Sequence, residues 1–412
     1  MTIDLNQCLE MDQSDPLADC ADRFELPEGV IYLDGNSLGA MPKTTAVRIS
    51  KTLHQEWAQD LIGAWNSAGW MELTQTLGDR IGGLVGAAPG QIVVCDNTSI
   101  NLYKALHAAA SLEHSARRII CLKNEFPTDR YIVESVTATL GEDWQSLQVD
   151  DDQLLTILAE APAILLLSQV NFQSGAVLDM AEITRACHAS GSLVIWDLCH
   201  SAGAMAVELD ACNADFAVGC SYKYLNGGPG APAFLYAAKR HQQSVAQPLS
   251  GWWSHAEPFA FAPDYQPAND IRRFLTGTQP ILSMQAVSTG LDSFDQVPMA
   301  LLREKSIALC ELFIQLVKQE CEEYGLQLIG DEQRQGYGSQ VSYRFEQGYP
   351  LMQALIDRGV IGDFRAPDIT RFGFAPLYIG YEQVWQAVQC LKRCLQDELW
   401  SKPRYQIQQT VT

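Results

Sequence analysis

Asp197 closes an apolar run, LVIWD, and 26 residues later Lys223 follows a second one, FAVGC, inside the segment GCSYKYLNGGPGAPAF. A lysine just past a hydrophobic strand, flanked by Ser221, Tyr222 and Tyr224 and then by glycines, can be partly desolvated, which lowers the pKa of its ammonium and makes the amine a nucleophile. A carboxylate at a neighbouring strand end is what a pyridinium nitrogen needs to stay protonated and keep its ring an electron sink. Together they point to pyridoxal 5'-phosphate. Its phosphate needs an anchor, and Asn97-Thr98-Ser99 opens a helical pattern whose hydroxyls and first N–H groups would face an anion with the helix dipole behind them. Phe126, at the end of the next expected strand, could stack on the ring. Each residue alone has an ordinary reading: the lysine as a solvated side chain, Thr98 and Ser99 as helix caps, Phe126 as core. Their order along successive strand ends is what favours a cofactor site.

Other motifs carry less. Gly35-Asn36-Ser37-Leu38-Gly39 matches the G-x-S-x-G elbow of serine hydrolases, but too few residues precede it to supply the strands that such an elbow follows. The last histidine is His255, so no late histidine completes a triad. A dinucleotide fold would need G-x-G-x-x-G about 20 residues before Asp197, and GAVLDMAEIT there supplies one glycine, Gly175; GGPGAP at 227–232 precedes an expected strand rather than opening a helix. Neither a Walker A motif nor H-E-x-x-H occurs. The twelve cysteines form no C-x-x-C and are read as reduced, mostly buried thiols, with no metal site.

The elements that must position these residues are legible in the hydrophobic pattern. Short apolar runs at 92–95, 118–122, 163–168, 193–197, 216–220 and 233–236 alternate with helical patterns at 99–112, 129–140 and 180–190, the signature of a mainly parallel sheet covered by helices. After Pro280 long helices (281–294, 299–324) give way to two short strands (340–345, 370–374) among further helices (351–358, 382–400). The expected class is α/β, with an N-terminal segment at 1–60, a large cofactor-binding domain at 61–280 and a smaller α+β domain at 281–412. The 412 residues, 47% apolar and 19% charged, suffice for a large core. With 28 basic against 49 acidic residues the net charge is −21, which speaks against nucleic acid or an anionic membrane as partner. No apolar run approaches the length of a membrane span, and the acidic, polar start MTIDLNQCLEMDQSD is unlike a signal peptide, so a cytoplasmic location is expected. The aromatic stretch 247–277 is a long irregular loop of the kind that serves function or an interface.

The motifs YLDGNSLGAMP, NTSINL, NEFPTDRY, WDLCHSAG, CSYKYLNGGPGAPAF, GWWSH, TGTQPIL and RFGFAPLY, in this order from Tyr32 to Tyr378, resemble the kynureninase family of the aspartate aminotransferase fold group (fold type I). The resemblance implies that Lys223 carries the cofactor through an imine and that Asp197, with Asp129 nearby, pairs with the ring nitrogen. Thr98, Ser99 and Tyr222 would hold the phosphate, Phe126 would stack on the ring, and Ser168 and His200 would complete the pocket. Trp252 and Thr278 would reach the cofactor phosphate of a neighbouring subunit, which implies a homodimer with shared sites. Arg371 would clamp the substrate α-carboxylate as a bidentate pair with Ser37 on the same side, and Trp65 would lie in the loop facing the aromatic ring. The activity implied is hydrolysis of L-kynurenine to anthranilate and L-alanine in tryptophan catabolism, with Tyr222 handling proton transfers beside Lys223. Two departures stand out: IGAWNSAGW at 62–70 lacks the histidine that some relatives carry, and Thr278 replaces their asparagine. Preference between kynurenine and 3-hydroxykynurenine is therefore open. Cysteine desulfurases, within the same fold group, place histidines where this chain has Tyr222 and Phe126 and need a cysteine in a region that here has none between Cys321 and Cys390.

Overall fold

The structure, a computed structural model, describes residues 2–112 and 115–409. Successive side chains of a strand point to opposite faces of its sheet, and Ile164–Leu167 are all fully buried, so both faces are covered there. This strand is β4 (Ile164–Ser168) of a seven-stranded sheet whose other members are β1 (Ile92–Val94), β2 (Arg118–Leu122), β3 (Gln145–Val149), β5 (Leu193–Asp197), β6 (Phe216–Gly219) and β7 (Phe234–Ala237). The order across the sheet is β1-β7-β6-β5-β4-β2-β3. All neighbouring pairs are parallel except those of β7, which runs against both β1 and β6. Phe234 pairs with Gly219 in that antiparallel register, so residues 220–233, Lys223 among them, form a connection closed at its base.

Register fixes what meets at the strand ends. Ser168 lies opposite Asp197 and Asp197 opposite Val218, so residues just past these positions emerge together at the carboxyl edge, where open α/β sheets place their ligands. Helices α1 (Thr98–Ser111), α2 (Pro127–Leu140) and α3 (Met180–Ala189) return the chain. Strand β3 went unforeseen: it pairs only with β2 at the sheet edge, and Gln145, Ser146 and Gln148 are exposed, so its sequence lacks an apolar run.

The chain divides into two compact units, one of Thr45–Asn171 and Leu178–Leu291, which holds this sheet, and one of Met1–Thr44, Phe172–Val177 and Asp292–Thr412. The second unit contains an antiparallel sheet of Gln327–Leu328, Gln340–Arg344, Ile369–Gly373 and Asp363–Arg365, in that spatial order, with the long helices Met299–Cys321 and Tyr381–Gln396. The three-residue strand Asp363–Arg365 is too short to show a period in sequence. The twelve cysteines are free thiols, nine of them buried. Among the described residues no helix is long and apolar enough to cross a membrane.

Candidate active site

At the carboxyl edge of the large sheet, Lys223 sits in a turn that the local sequence closes on itself. The N–H of Asn226 donates to the Lys223 carbonyl (2.9 Å) and that of Gly227 to the Ser221 carbonyl (2.8 Å). A Cβ at Gly227 would come within 2.8 Å of that carbonyl oxygen, so only glycine permits the close return. The Lys223 Nζ lies 2.9 Å from Nε2 of the buried His200 and 5.9 Å from the centre of the Tyr222 ring.

Three buried acids gather on the same edge. Asp197, at the end of β5, accepts the Cys199 N–H at 2.7 Å. Glu125 accepts the Ser168 N–H at 2.9 Å, and Asp129, in the first turn of α2, is almost wholly buried beside them. One carboxyl oxygen on Glu125 and one on Asp129 have no hydrogen-bond partner among the described residues. Burial, and then the negative charges of Asp197 and Glu125, hold the Asp129 carboxyl well above the usual carboxylate range. Burial also pushes Glu125 up to about 7, against the pull of its bonds to Ser168. Carboxyls crowded and dry in this way take a proton or a cationic N–H, and a pyridinium nitrogen supplies the latter.

The opposite end suits an anion. A cavity of about 600 Å3 is lined by Asp96, Asn97, Tyr222, Gly230, Ala231 and residues 276–280. Asn97 caps α1 by accepting the Ile100 N–H at 3.0 Å, so Thr98 and Ser99 are its first two residues, where helix N–H groups lack intrahelical partners. Thr98 Oγ1 also lies 3.7 Å from the Cys199 sulfur, which ties the helix start to the end of β5. Burial first, then the Cys220 and Cys199 thiols and the Asp197 carboxylate, keep the Tyr222 phenol above its usual range, hence protonated. Phe126, at the cap of α2, leaves 42% of its surface exposed. Acids at one end, helix N–H groups at the other and an amine beside them fit pyridoxal phosphate.

Not every expected residue joins this group. Thr278 lines the cavity with Tyr222 within one chain, whereas Trp252 is not among its lining residues; Trp252 packs on Trp253 and Phe259 in a partly exposed aromatic cluster. Trp65 packs against Trp70 and Trp253, with ring centres 5.6 and 5.2 Å apart. Glu125 was missed by the sequence reading, although it stands directly before Phe126 in NEFPTDRY.

In the other unit, Arg371 is buried and heavily engaged. Its Nε donates to Asp363 at 2.8 Å, its Nη2 to Asp363 and to Ser37 Oγ (3.1 Å), and its Nη1 to the Phe172 carbonyl (2.7 Å). The Nε edge of the fork is therefore already paired with a carboxylate of the chain itself, and an incoming carboxylate would use the edge formed by Nη1 and Nη2. Ser37 Oγ donates to Asp363 at 2.7 Å, which gives the G-x-S-x-G serine a binding partner rather than a base. Arg365 shares Asp363 at 2.7 Å. Burial and the charge of Asp363 push Asp34 up to about 7.

The fold is that of cysteine desulfurases, enzymes of the aspartate aminotransferase fold group. One from Thermococcus onnurineus NA1 superposes with a TM-score of 0.78 at 16% identity, covering 92% of this chain and 98% of that one, and one from Escherichia coli gives 0.77 at 16% over the same shares. Sequence narrows the assignment. Residues 302–391 match the family model of the kynureninase C-terminal domain. A kynureninase of Burkholderia pseudomallei (strain 1106a) is 46% identical over 413 residues, 98% of this chain and 99% of its own; one of Pseudomonas fluorescens is 46% identical over 412 residues, 99% of each. The chain belongs to the kynureninase family.

Proposed function

We propose that this chain is a pyridoxal phosphate-dependent hydrolase that cleaves the Cβ–Cγ bond of L-kynurenine to give anthranilate and L-alanine, with 3-hydroxy-L-kynurenine and 3-hydroxyanthranilate as the parallel substrate and product. The observation that carries the reading is the convergence of the Lys223 amine with three buried acids at one sheet edge, in a chain 46% identical throughout to kynureninases.

When bound, pyridoxal phosphate supplies an electron sink conjugated to the substrate's amino group. Lys223 holds the cofactor and, once displaced by the substrate's amine, takes the proton from Cα. His200, 2.9 Å from that nitrogen, completes the pocket with Ser168 and is placed to share the proton. Asp197, with Asp129 and Glu125 packed behind it, keeps a proton on the ring nitrogen. Thr98, Ser99 and Tyr222 hold the phosphate, and Phe126 covers one ring face. Tyr222, held protonated, donates to the departing alanyl fragment. Arg371, through Nη1 and Nη2, takes the α-carboxylate with Ser37, and Trp65 lies on the side of the substrate's ring.

The working form is a homodimer in which Trp252 and Thr278 reach the neighbouring subunit's cofactor; the exposed aromatics Trp252, Phe259 and Phe261 support a covered face there. Its setting is cytoplasmic, on the kynurenine pathway of tryptophan catabolism, with the hydroxylated branch serving NAD biosynthesis. The test is to mix cofactor-loaded protein with L-kynurenine and quantify both products over time. Equimolar anthranilate and alanine are expected; neither product, from protein that carries the cofactor on Lys223, would sink the substrate assignment. A light-scattering mass of a single chain would remove the shared-site arrangement.

A further inference from the structure

Strand pairing gathers four charged side chains in the unit that holds Arg371. Asp363 lies opposite Arg371 in the antiparallel pair, Arg365 follows two residues later on the same face of its strand, and an isolated bridge sets Asp34 against Gly373. The hydrogen bonds among them are shared unevenly. Asp363 accepts from Nε of Arg371 at 2.8 Å and also from its Nη2, from Nη2 of Arg365 at 2.7 Å and from the Ser37 hydroxyl at 2.7 Å. Asp34 keeps a buried carboxyl oxygen, Oδ1, with no hydrogen-bond partner among the described residues. A hydroxyl has one proton to give, and that of Ser37 goes to Asp363. A proton on Asp34 must come from solvent.

The charges can be counted. With both acids ionised, two guanidiniums face two carboxylates and the group is neutral. An α-carboxylate arriving on the edge formed by Nη1 and Nη2 of Arg371 adds one negative charge beside largely buried groups, where an uncompensated charge is costly. One proton restores the balance, and it goes to the acid that the arginines hold least. That acid is not Asp363: burial alone would raise its carboxyl, but Arg371 and Arg365 hold it below the usual range. Asp34 already stands at about 7 through burial and the charge of Asp363, and another negative neighbour moves it higher. The phenols of Tyr32 and Tyr378, which also feel the Asp34 charge, are pushed up by burial and stay protonated.

We propose that the Arg371 clamp binds an α-carboxylate together with one proton, and that Asp34 takes this proton, leaving the second guanidinium, Arg365, to balance the ligand's charge. The inference rests on the reading of Arg371 as the substrate's carboxylate clamp. Asp34 is a positioning residue for charge and touches no reacting atom.

The experiment uses cofactor-loaded protein and two probes: the analogue of L-kynurenine without its α-amine, which keeps the carboxylate but cannot displace Lys223 from the cofactor, and the uncharged amide of that acid. In the wild type the carboxylate should bind up to about tenfold more weakly with each pH unit above about 7. Calorimetry in buffers of different ionisation enthalpy should count up to about one proton taken up per carboxylate bound. Asp34→Asn keeps the shape without the charge; it should bind the carboxylate with a flat pH profile and no proton uptake. The amide should show neither effect in either protein. Thermal melting establishes that the variant is folded, and the wild-type proton count needs no variant at all. Wild-type binding of the carboxylate without proton uptake, or an Asp34→Asn profile as steep as the wild type's, would overturn the proposal. A wild type that bound acid and amide equally at every pH would instead bring down the clamp reading and this inference with it.

Discussion

Buried acids occupy opposite ends of the same sheet, one alone and the others together, and they are treated in opposite ways. At the amino ends of β5 and β6, Asp215 is ringed by partners: His188 at 2.9 Å, His241 at 2.8 Å, Arg240 at 2.7 Å and the Val194 N–H at 3.0 Å. Burial alone would raise its carboxyl, but the bonds from His188, His241 and Val194 outweigh that and hold it far below the usual range. At the carboxyl ends, Glu125 and Asp129 each keep a buried oxygen without a partner among the described residues, and both are pushed up. The lesson is that a saturated buried acid serves the fold, whereas crowded, unsaturated ones are matched to something that arrives later.

The largest effect that sharpens this contrast comes from Lys223→Ala, which removes the amine facing the unsaturated acids. Turnover and the imine absorbance with pyridoxal phosphate should both vanish; an unchanged spectrum would refute the assignment. Next come the acids themselves. Asp215→Ala leaves the Arg240 guanidinium, the two imidazoles and the Val194 N–H without the carboxylate they bond, and should cost about 3–5 kcal/mol of stability, read by denaturant melting, with cofactor affinity intact in whatever protein folds. Asp129→Asn should do the reverse, leaving the apo-protein at least as stable while weakening cofactor binding. If Asp129→Asn proved the more destabilising of the two, the contrast would collapse. Tyr222→Phe should lower kcat by about 10²-fold, in the range of a lost general acid, with a smaller change in KM; an unaltered kcat would leave Tyr222 a phosphate ligand only.

The last effect is one of pH. Glu125 has a higher pKa folded than unfolded, so the folded apo-protein binds its proton more tightly, and this favours folding below the unfolded pKa. That contribution is lost as pH rises from about 4.5 to about 7, amounting to on the order of 3 kcal/mol. Asp215 has the opposite sign: its depressed pKa favours folding above the unfolded value, a contribution lost as pH falls through the folded one. Urea midpoints of wild type and Glu125→Gln across pH 5–8 should diverge, the variant showing the flatter profile; parallel profiles would mean that Glu125 does not carry the slope.

What could be read from sequence follows from how local each cause is. The Asp197 strand and the Lys223 turn announce themselves because an apolar run and a glycine-rich return are contiguous in the chain. Glu125 does not, since its character comes from burial beside Ser168 and Asp197, which only sheet register brings to it. Asp34 was hidden for a related reason: within YLDGNSLG an aspartate reads as a turn residue, and only tertiary packing brings Asp363, Arg365 and Arg371 beside it. Arg371 was identifiable as a residue, but Asp363, which occupies one edge of its guanidinium, lies in a strand too short to detect. The polar edge strand β3 lacked any hydrophobic signal at all.

The antiparallel placement of β7 bears on the order in which the protein assembles. Because Phe234 pairs with Gly219, the loop carrying Lys223 is closed by contacts fifteen residues apart, whereas bringing Glu125 to Asp197 requires segments more than seventy residues apart to find each other. Loop closure becomes costlier with length, so near contacts tend to form before distant ones. During refolding the nucleophile's hairpin is expected to gain amide protection ahead of the β2–β4 pairing through which the Glu125 strand joins the sheet, and pulse-labelled hydrogen exchange would time the two events.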